Sequence, residues 1–594
     1  MSNKSLPSRS EIPVEKTWDL TLVYKTEDDW RADLAKVKAM IPQMAAFKGR
    51  LSESGETLLA AFKHSEAMGL IFGKLGIYSG LHSVVDASNS HYLKLGQELG
   101  NVGEEYGQAM AWLSPELTAI APETYTRFME EVSDLAIYKR EFEDIAEGRK
   151  HVRIEEVEGV LALTGKNSGA PRNIFSMLTN LDMHFPAAVD SEGVEHAVTN
   201  ATYGELLESK DRVLRESVFR SMLGTFHQFR NTLAATYGAS VTQDCVSAKV
   251  RGHESARAKS LKGNGIPVSI YDNLINTVNA NLPKLHDYLA VRKEMLGVDK
   301  LNFWDLYVGL AGDYTLSYDE ANEEVLKAVA VLGEDYVEIL RKGIASRWVD
   351  VCENKGKRSG AFSSGAPGTP PFVLLNWTNS LRSAFTNAHE FGHSMHSYFT
   401  RLTQPHVYAN YTIFVAEVAS TVNEALFAHH LLSKATDPKV RKAILGRQIE
   451  DFRATLFRQT MFAEFEKITH EMEEAGEALT TEALCKVYYD LNKKYFGENV
   501  ELDPLVAIEW ARIPHFYGAF YVYQYATGVA AATMLAPQLL SGEGVARYRK
   551  FLSSGSSENS VKLLQDAGAD LMDPQTIQKA IDVWVAKIEE FKSL

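Results

Sequence analysis

The chain has 594 residues, 45% hydrophobic and 10% aromatic, so it can bury a large core and is too long for one simple domain. A net charge of −15, without any Lys/Arg-rich run, argues against a surface that tracks nucleic-acid phosphates. The chain opens without an apolar signal segment, its longest apolar run (529–536) is too short to span a membrane, and its three Cys lie far apart, so we predict a cytoplasmic protein without membrane partners.

Helical periodicity dominates the first 150 residues. After an opening segment at 12–20, apolar residues recur at three- and four-residue steps from residue 27 towards residue 49. Further helices are predicted near residues 56–80, 90–113, 123–131 and 133–148.

A strand-like interruption follows at residues 183–198, where two β-prone runs flank a polar turn at 190–193. We predict a β hairpin there. His184 and His196 lie in its two arms, but two His on a short hairpin are more often exposed polar residues than a metal site. Because helices resume near residue 202, we predict an N-terminal helical domain over 1–200 and a second domain over 201–594.

The second domain begins with more helices and then changes character. Helices are predicted near residues 202–208, 211–248, 268–296 and 317–345. Gly, Ser and Pro then crowd into residues 355–371, directly before a strand predicted at 372–377. The loop is either a substrate lid or a plain surface loop. A strand with one free edge can pair with an extended peptide.

The motif H-E-x-x-H at residues 389–393 is the chemical centre of the sequence. It lies inside a predicted helix, so His389 and His393 fall one turn apart on the same face with Glu390 beside them. Two imidazoles at this spacing can bind one metal ion, and a catalytic zinc needs a third protein ligand and an open position. The alternative is an ordinary helix with a hydrogen-bonded His pair.

The best candidate for a third ligand is Glu417, which lies in an apolar, helix-length run at 414–427. A carboxylate in such a run is costly to bury unless a cation neutralises it. Glu424 lies two turns further on the same face, and it is either the ligand itself or a partner that orients a His. His396 lies on the same helical face two turns after His389, but a fourth protein ligand would close the open position, so we predict that it supports the ligands without binding the metal. Gly392 either admits another segment or has no special role.

The rest of the chain is again helical, with one Tyr-rich segment. Helices are predicted at 437–476 and 480–494, in the 503–536 region, and at 541–553, 557–567 and 574–591. Within that region His515, Tyr521, Tyr523 and Tyr525 offer N–H and O–H donors suited to a developing oxyanion, although aromatic core packing is the alternative.

Several of these segments together resemble the M3 family of zinc metallopeptidases, and most closely its oligoendopeptidase F branch. The resemblance spans nearly the whole chain. It rests on H-E-F-G-H-S-M-H at 389–396, F-V-A-E-V-A-S at 414–420, I-P-V-E-K-T-W-D-L at 12–20, P-F-V-L-L-N-W at 371–377, P-H-F-Y at 514–517 and Y-V-Y-Q-Y-A-T-G at 521–528.

The resemblance implies a ligand set and a general base. His389, His393 and Glu417 would bind one Zn²⁺ per chain, and Glu390 would take a proton from the zinc-bound water. Zinc would lower the pKa of its bound water and polarise the scissile carbonyl, and peptide hydrolysis requires both effects.

The resemblance also implies that His515 and a Tyr stabilise the oxyanion. The spacing after His515 departs from that of better-known relatives, so three tyrosines are candidates for this role. We choose Tyr523, ahead of Tyr521 and Tyr525. The fold it implies is mainly α: an elongated, multi-helix metallopeptidase with a deep substrate channel between two helical halves and a small β hairpin or sheet near the active site.

We therefore predict a zinc-dependent endopeptidase that hydrolyses internal bonds of short oligopeptides. One alternative is a metal-dependent carboxypeptidase on a similar helical scaffold, which would require a free substrate C-terminus. The other is a peptide-binding protein that keeps the metal site without turnover. No oligomeric state is predicted.

Overall fold

The computed structural model describes residues 6–165, 167–312 and 314–594. Helices make up 72% of the chain and strands 3%, so the predicted mainly α class is confirmed. The chain divides into two compact units: unit 1 is Met1–Val152, Thr315–His430 and Ala536–Gly568, and unit 2 is Arg153–Tyr314, Leu431–Leu535 and Ala569–Leu594. The contiguous domains 1–200 and 201–594 stay a prediction from the sequence.

The first stretch of unit 1 contains six α helices within its described residues, 6–152. They are α1 (Glu27–Met40), α2 (Gly55–Val85), α3 (Ser90–Met110), α4 (Leu113–Ala119), α5 (Pro122–Glu131) and α6 (Lys139–Gly148). Side-chain caps fix where the first two begin, since Thr26 accepts a hydrogen bond from the N–H of Asp29 and Ser54 accepts one from Thr57. The helices predicted in this part are confirmed.

Helix α2 runs through the core of unit 1. Among the described residues it is the one helix long and apolar enough, by length and composition, to cross a membrane. Its residues Met68 and Leu75 are buried in the core, and the indole N–H of Trp30 in α1 donates to the Leu75 carbonyl at 3.1 Å. In the most apolar part of α2, 33% of the residues are buried, and the absence of a membrane partner stays a prediction.

The chain then enters unit 2 and returns to helices after a short hairpin. The elements are α7 (Glu155–Gly165), α8 (Ala170–Met177), β1 (Ala188–Val189), β2 (Glu195–His196), α9 (Thr202–Leu207), α10 (Arg212–Gln228), α11 (Arg230–Val250), α12 (Ala256–Lys262), α13 (Val268–Ala280), α14 (Leu282–Leu296) and β3 (Leu301–Asn302). Strands β1 and β2 pair antiparallel, which confirms the predicted hairpin, and His196 in β2 hydrogen-bonds to Asp190 at 2.8 Å.

The next stretch of the chain builds the part of unit 1 that carries the predicted site. Its elements are α15 (Tyr318–Ala328), α16 (Glu334–Ala345), β4 (Val349–Asp350), β5 (Phe362–Ser364), β6 (Phe372–Leu374), α17 (Leu381–Thr403) and α18 (Ile413–Lys434), the last of which continues into unit 2.

The three strands of this stretch form one sheet in the order β4-β6-β5. Strand β6 is central, parallel to β4 and antiparallel to β5, so the strand predicted at 372–377 is present but has no free edge for a peptide. The edge strands are β4 and β5, and β5 lies inside residues 355–371, a segment predicted as a loop. Pairing partners distant in sequence decide which strand is central, and residue alternation alone does not reveal them.

The remaining elements complete both units. They are α19 (Pro438–Phe452), α20 (Gln459–Glu474), α21 (Thr481–Phe496), β7 (Val500–Glu501), α22 (Tyr523–Leu540), α23 (Val545–Leu552), α24 (Ser560–Ala567) and α25 (Pro574–Ser593). Strand β7 pairs in parallel with β3 in unit 2. The last helix is part of the unit 2 core, where the Trp584 indole N–H donates to the Ile449 carbonyl at 3.0 Å.

Candidate metal centre and active site

Helix α17 carries the H-E-x-x-H motif, as predicted. Ser380 caps its first turn by accepting a hydrogen bond from the N–H of Ser383, and the helix then runs without interruption to Thr403. One helical turn separates the two motif His, and the Nε2 atoms of His389 and His393 lie 3.1 Å apart. The helix therefore presents two imidazole nitrogens at one point.

Helix α18 brings a carboxylate to the same point. Oε2 of Glu417 lies 3.5 Å from Nε2 of His389 and 3.8 Å from Nε2 of His393. A tetrahedral zinc site with bonds of ~2.0–2.1 Å has donor–donor edges of ~3.3–3.4 Å. The three donors lie within 4.8 Å of one another, so they fit the ligand set of a catalytic zinc ion.

The two helices approach closely because residue 392 is Gly. A Cβ atom at Gly392 would lie 2.6 Å from the carbonyl oxygen of Ala419 in α18. The crossing is also hydrogen-bonded, since Asn423 in α18 donates to the Ala388 carbonyl at 3.2 Å and accepts from the Tyr336 hydroxyl at 3.1 Å. Of the two interpretations of Gly392, the close approach is the one observed.

Replacing Gly392 with Ala should therefore destabilise the protein. The added methyl must push α18 away from α17, and overpacking of this kind costs about 1–3 kcal/mol in the free energy of unfolding. Thermal melting should show a lower Tm. The matched control is Gly96→Ala in α3, where a Cβ meets nothing within 4 Å and a small rise in Tm is expected. Equal melting temperatures for the two variants would contradict the tight crossing.

Glu424 lies behind the cluster. Its carboxylate hydrogen-bonds to Nδ1 of His389, which leaves Nε2 of that ring facing Glu417. Burial alone would lower the pKa of His389, but the hydrogen bond and the charge of Glu424 raise it to about 10. A carboxylate in this position fixes the tautomer and direction of a metal-binding imidazole. Of the two roles left open for Glu424, this geometry favours the orienting one.

Glu390 is almost enclosed, with 5% of its surface exposed. Burial and the negative charges of Glu417 and Glu424 raise its pKa to about 7, against the opposing effect of His389. Its Oε2 atom has no hydrogen-bond partner among the described residues. Glu390 is therefore a buried carboxyl group with one oxygen available and a pKa close to neutrality, as a general base requires.

His396 belongs to the packing around the motif. Its ring stacks on Tyr411 with centroids 3.7 Å apart, and Phe551 lies on it at 5.2 Å. Burial lowers the pKa of His396 to about 3, so the ring is neutral near pH 7.

His515 and the predicted tyrosines belong to unit 2. The rings of His515, Tyr521 and Tyr525 form a cluster, with centroids 5.6–6.2 Å apart. Tyr523 points elsewhere: it is buried, and its ring lies 5.1 Å from Tyr271. Partial burial and the positive charge of Arg172 lower the pKa of His515, so its ring is neutral near pH 7 and retains one N–H to donate.

Sequence reasoning missed two residues that hold the motif helix in place. Ser363 in β5 hydrogen-bonds through its hydroxyl to Ser394 in α17 at 2.8 Å and so ties the edge strand to the motif helix. Asn423 joins α18 to α17. Asn423 could have been found, because it is a polar residue inside an apolar helical run. Ser363 gave no such signal, because its strand was interpreted as a loop.

Two His and a Glu held on two crossing helices, with a buried Glu beside them, define a metal-dependent hydrolase of the H-E-x-x-H class. Residues 205–583 match Peptidase family M3, and residues 116–185 match Oligopeptidase F. The chain belongs to peptidase family M3 and is a metalloendopeptidase, so peptides are its substrates.

Known proteins similar to the chain along almost its whole length agree with this assignment. Oligopeptidase PepF of Bacillus subtilis (strain 168) is 43% identical over 594 residues, covering 99% of this chain and 88% of that protein. A solved structure from Chlamydophila abortus is similar at a TM-score of 0.89, with 33% identity and coverage of 99% and 100%. Oligoendopeptidase-F from Enterococcus faecium is similar at 0.76, with 32% identity and coverage of 96% and 99%.

Proposed function

We propose that the chain is a zinc-dependent endopeptidase that cleaves internal bonds of short oligopeptides. His389, His393 and Glu417 would hold one zinc ion per chain. The observation that carries the proposal is the set of donor separations, 3.1, 3.5 and 3.8 Å, which approximate the edges of a zinc tetrahedron. When bound, zinc supplies Lewis acidity and an acidified water for attack on a carbonyl.

Glu390 moves the proton in this mechanism. Its Oε2 takes a proton from the attacking water and returns it to the nitrogen of the leaving amine. Burial and the neighbouring carboxylates raise the basicity of Glu390, which supports its role as the proton acceptor.

The edge strand β5 is our candidate for binding the substrate backbone. It pairs with β6 on one side and is tied to α17 through Ser363. An edge strand pairs only with an extended chain, and unfolding a protein domain to provide one costs about 5–15 kcal/mol. This supports short, flexible peptides as substrates. The lid role of residues 355–371 stays a prediction.

The decisive test of the function uses an internally quenched peptide of about ten residues with both ends blocked. We expect cleavage at an internal bond, loss of cleavage with a chelator, and recovery when Zn²⁺ is restored. Mass spectrometry of the products identifies the bond. Cleavage that needs a free C-terminus would support the carboxypeptidase alternative. Binding without turnover would support the peptide-binding alternative.

His515 and one Tyr are proposed to donate hydrogen bonds to the oxyanion. Tyr523 was the choice from the sequence. The ring cluster of His515 with Tyr521 and Tyr525 now supports one of these two instead.

A set of variants separates these residues. His515→Ala should lower kcat by about 10²–10³-fold, the usual cost of one lost oxyanion donor. Among Tyr521→Phe, Tyr523→Phe and Tyr525→Phe, the donor's variant should lose most in kcat, with metal content unchanged. We expect this loss at Tyr521 or Tyr525. A larger loss in Tyr523→Phe would return the role to Tyr523.

We also propose that the enzyme works in the cytoplasm without nucleic-acid or membrane partners. The net charge of −15 and the three free cysteines, Cys245, Cys352 and Cys485, support this proposal.

A further inference from the structure

Glu466 on helix α20 of unit 2 is a buried carboxyl group that the mechanism above does not use. It is 0% exposed, and one of its oxygens accepts a hydrogen bond from the backbone N–H of Phe520 at 2.9 Å. The other oxygen, Oε2, has no hydrogen-bond partner among the described residues. A buried acid with a single donor is costly for stability, so its presence calls for a local reason.

The residue bonded to Glu466 is held in a strained conformation. Phe520 has φ of 60°, in the left-handed region that bulky residues rarely adopt. Its ring is buried against His470, with centroids 4.5 Å apart, and against Tyr271 at 5.9 Å. A strained residue persists only where its surroundings hold it, and here the Glu466 carboxyl group and these two rings do so.

The strained residue lies between the predicted oxyanion donors. The turn at residues 518–522 links the 3₁₀ turn that carries His515 to the start of α22, and Tyr521 directly follows Phe520. Two hydrogen bonds from distant elements fix this turn, one from the Ser260 hydroxyl to the Ala519 carbonyl at 3.2 Å and the other from Phe520 to Glu466. The backbone angle at Phe520 therefore sets the direction in which Tyr521 leaves the turn.

We propose that Glu466 is a positioning residue for the peptidase reaction. Its carboxyl group holds the 518–522 turn through the Phe520 N–H and so keeps the Tyr521 ring against His515. The proposal rests on the oxyanion role proposed for His515. Burial and the nearby charge of Asp244 hold the pKa of Glu466 well above its usual range, which favours the uncharged acid. Gln is therefore its closest replacement, because its carbonyl oxygen can accept from Phe520.

The experiment compares Glu466→Met with Glu466→Gln in the full-length enzyme loaded with zinc. Met fills the volume but leaves the buried Phe520 N–H without its acceptor, which lowers stability, so the Tm of both variants is measured to confirm that they are folded. We expect kcat to fall about 10–100-fold in Glu466→Met, the usual effect of misplacing a catalytic group, with KM and zinc content nearly unchanged. Glu466→Gln should restore most of kcat.

The matched control is Glu464→Met on the same helix. Glu464 is also buried, but its carboxylate accepts from Tyr495 and Lys494, away from the turn. We expect it to keep its kcat even if its Tm falls.

The triple variant Glu466→Met/His515→Ala/Tyr521→Phe completes the test. If Glu466 acts by holding Tyr521 against His515, the triple variant should be no slower than His515→Ala/Tyr521→Phe. Losses that multiply would overturn the proposal. The proposal would also be overturned if Glu466→Gln were as slow as Glu466→Met. A wild-type kcat in Glu466→Met, together with a low kcat in His515→Ala, would overturn it as well. A wild-type kcat in His515→Ala would instead overturn the oxyanion role itself, and the positioning role with it.

Discussion

Replacing Glu390 with Gln should leave the metal in place and remove nearly all peptidase activity. The three proposed ligands are untouched, but the amide cannot take a proton from the attacking water. General-base catalysis contributes about 10²–10⁴-fold to a rate, so kcat should fall by that factor. Metal content by atomic absorption, measured beside turnover of the end-blocked peptide, checks both halves of the expectation.

The control for this variant is Glu338→Gln on α16, which makes the same chemical change at an exposed position of the same unit. It should retain full activity. Wild-type turnover in Glu390→Gln would remove Glu390 from the mechanism. Loss of metal together with activity would mean that the residue acts as a ligand.

Replacing Glu417 with Ala should abolish stoichiometric metal binding. The carboxylate is one of three donors converging on one point, and without it only the two imidazoles of α17 remain. Glu424→Ala should be milder, because its carboxylate reaches the back of His389; partners of this kind typically change metal affinity by about 10–100-fold. Competition with a chelator of known affinity measures both.

The comparison of these two variants is the test. If only Glu424→Ala loses the metal, Glu424 is the ligand and Glu417 is its neighbour. If both retain the metal, the third ligand is a different residue. In each case the temperature of unfolding should be recorded, since loss of a buried carboxylate can itself change stability.

The helical part of the site was predictable from the sequence because local periodicity determines it. Residues four apart on a helix share a face, so the spacing of His389 and His393 was enough to predict that their rings meet. Glu417 followed from the cost of burying a charge in an apolar run. The role of Gly392 was ambiguous, because it depends on how closely α18 approaches α17. The local sequence does not contain that distance.

The parts that depend on long-range pairing were not predictable. Strand β6 pairs with two strands, whereas β5 pairs with β6 alone. The additional partner of β6 is β4, which lies outside both segments in the sequence. The choice among Tyr521, Tyr523 and Tyr525 could not be made from the sequence for another reason. Tyr521 precedes α22, so helical spacing does not relate it to Tyr523 and Tyr525, and a strained turn at Phe520 sets its direction.

The interleaving of the two units has a consequence for how the protein is made. The motif helix of unit 1 needs α23, because the Thr400 hydroxyl donates to the Leu552 carbonyl, yet α23 is made only when residues 545–552 emerge. Unit 2 likewise needs α25, whose Trp584 packs into its core and donates to the Ile449 carbonyl. At about 5–20 residues per second, synthesis of 594 residues takes about 30–120 s. During most of that time neither core can be completed, so apolar helix faces made early stay without the partners that α23 and α25 supply later.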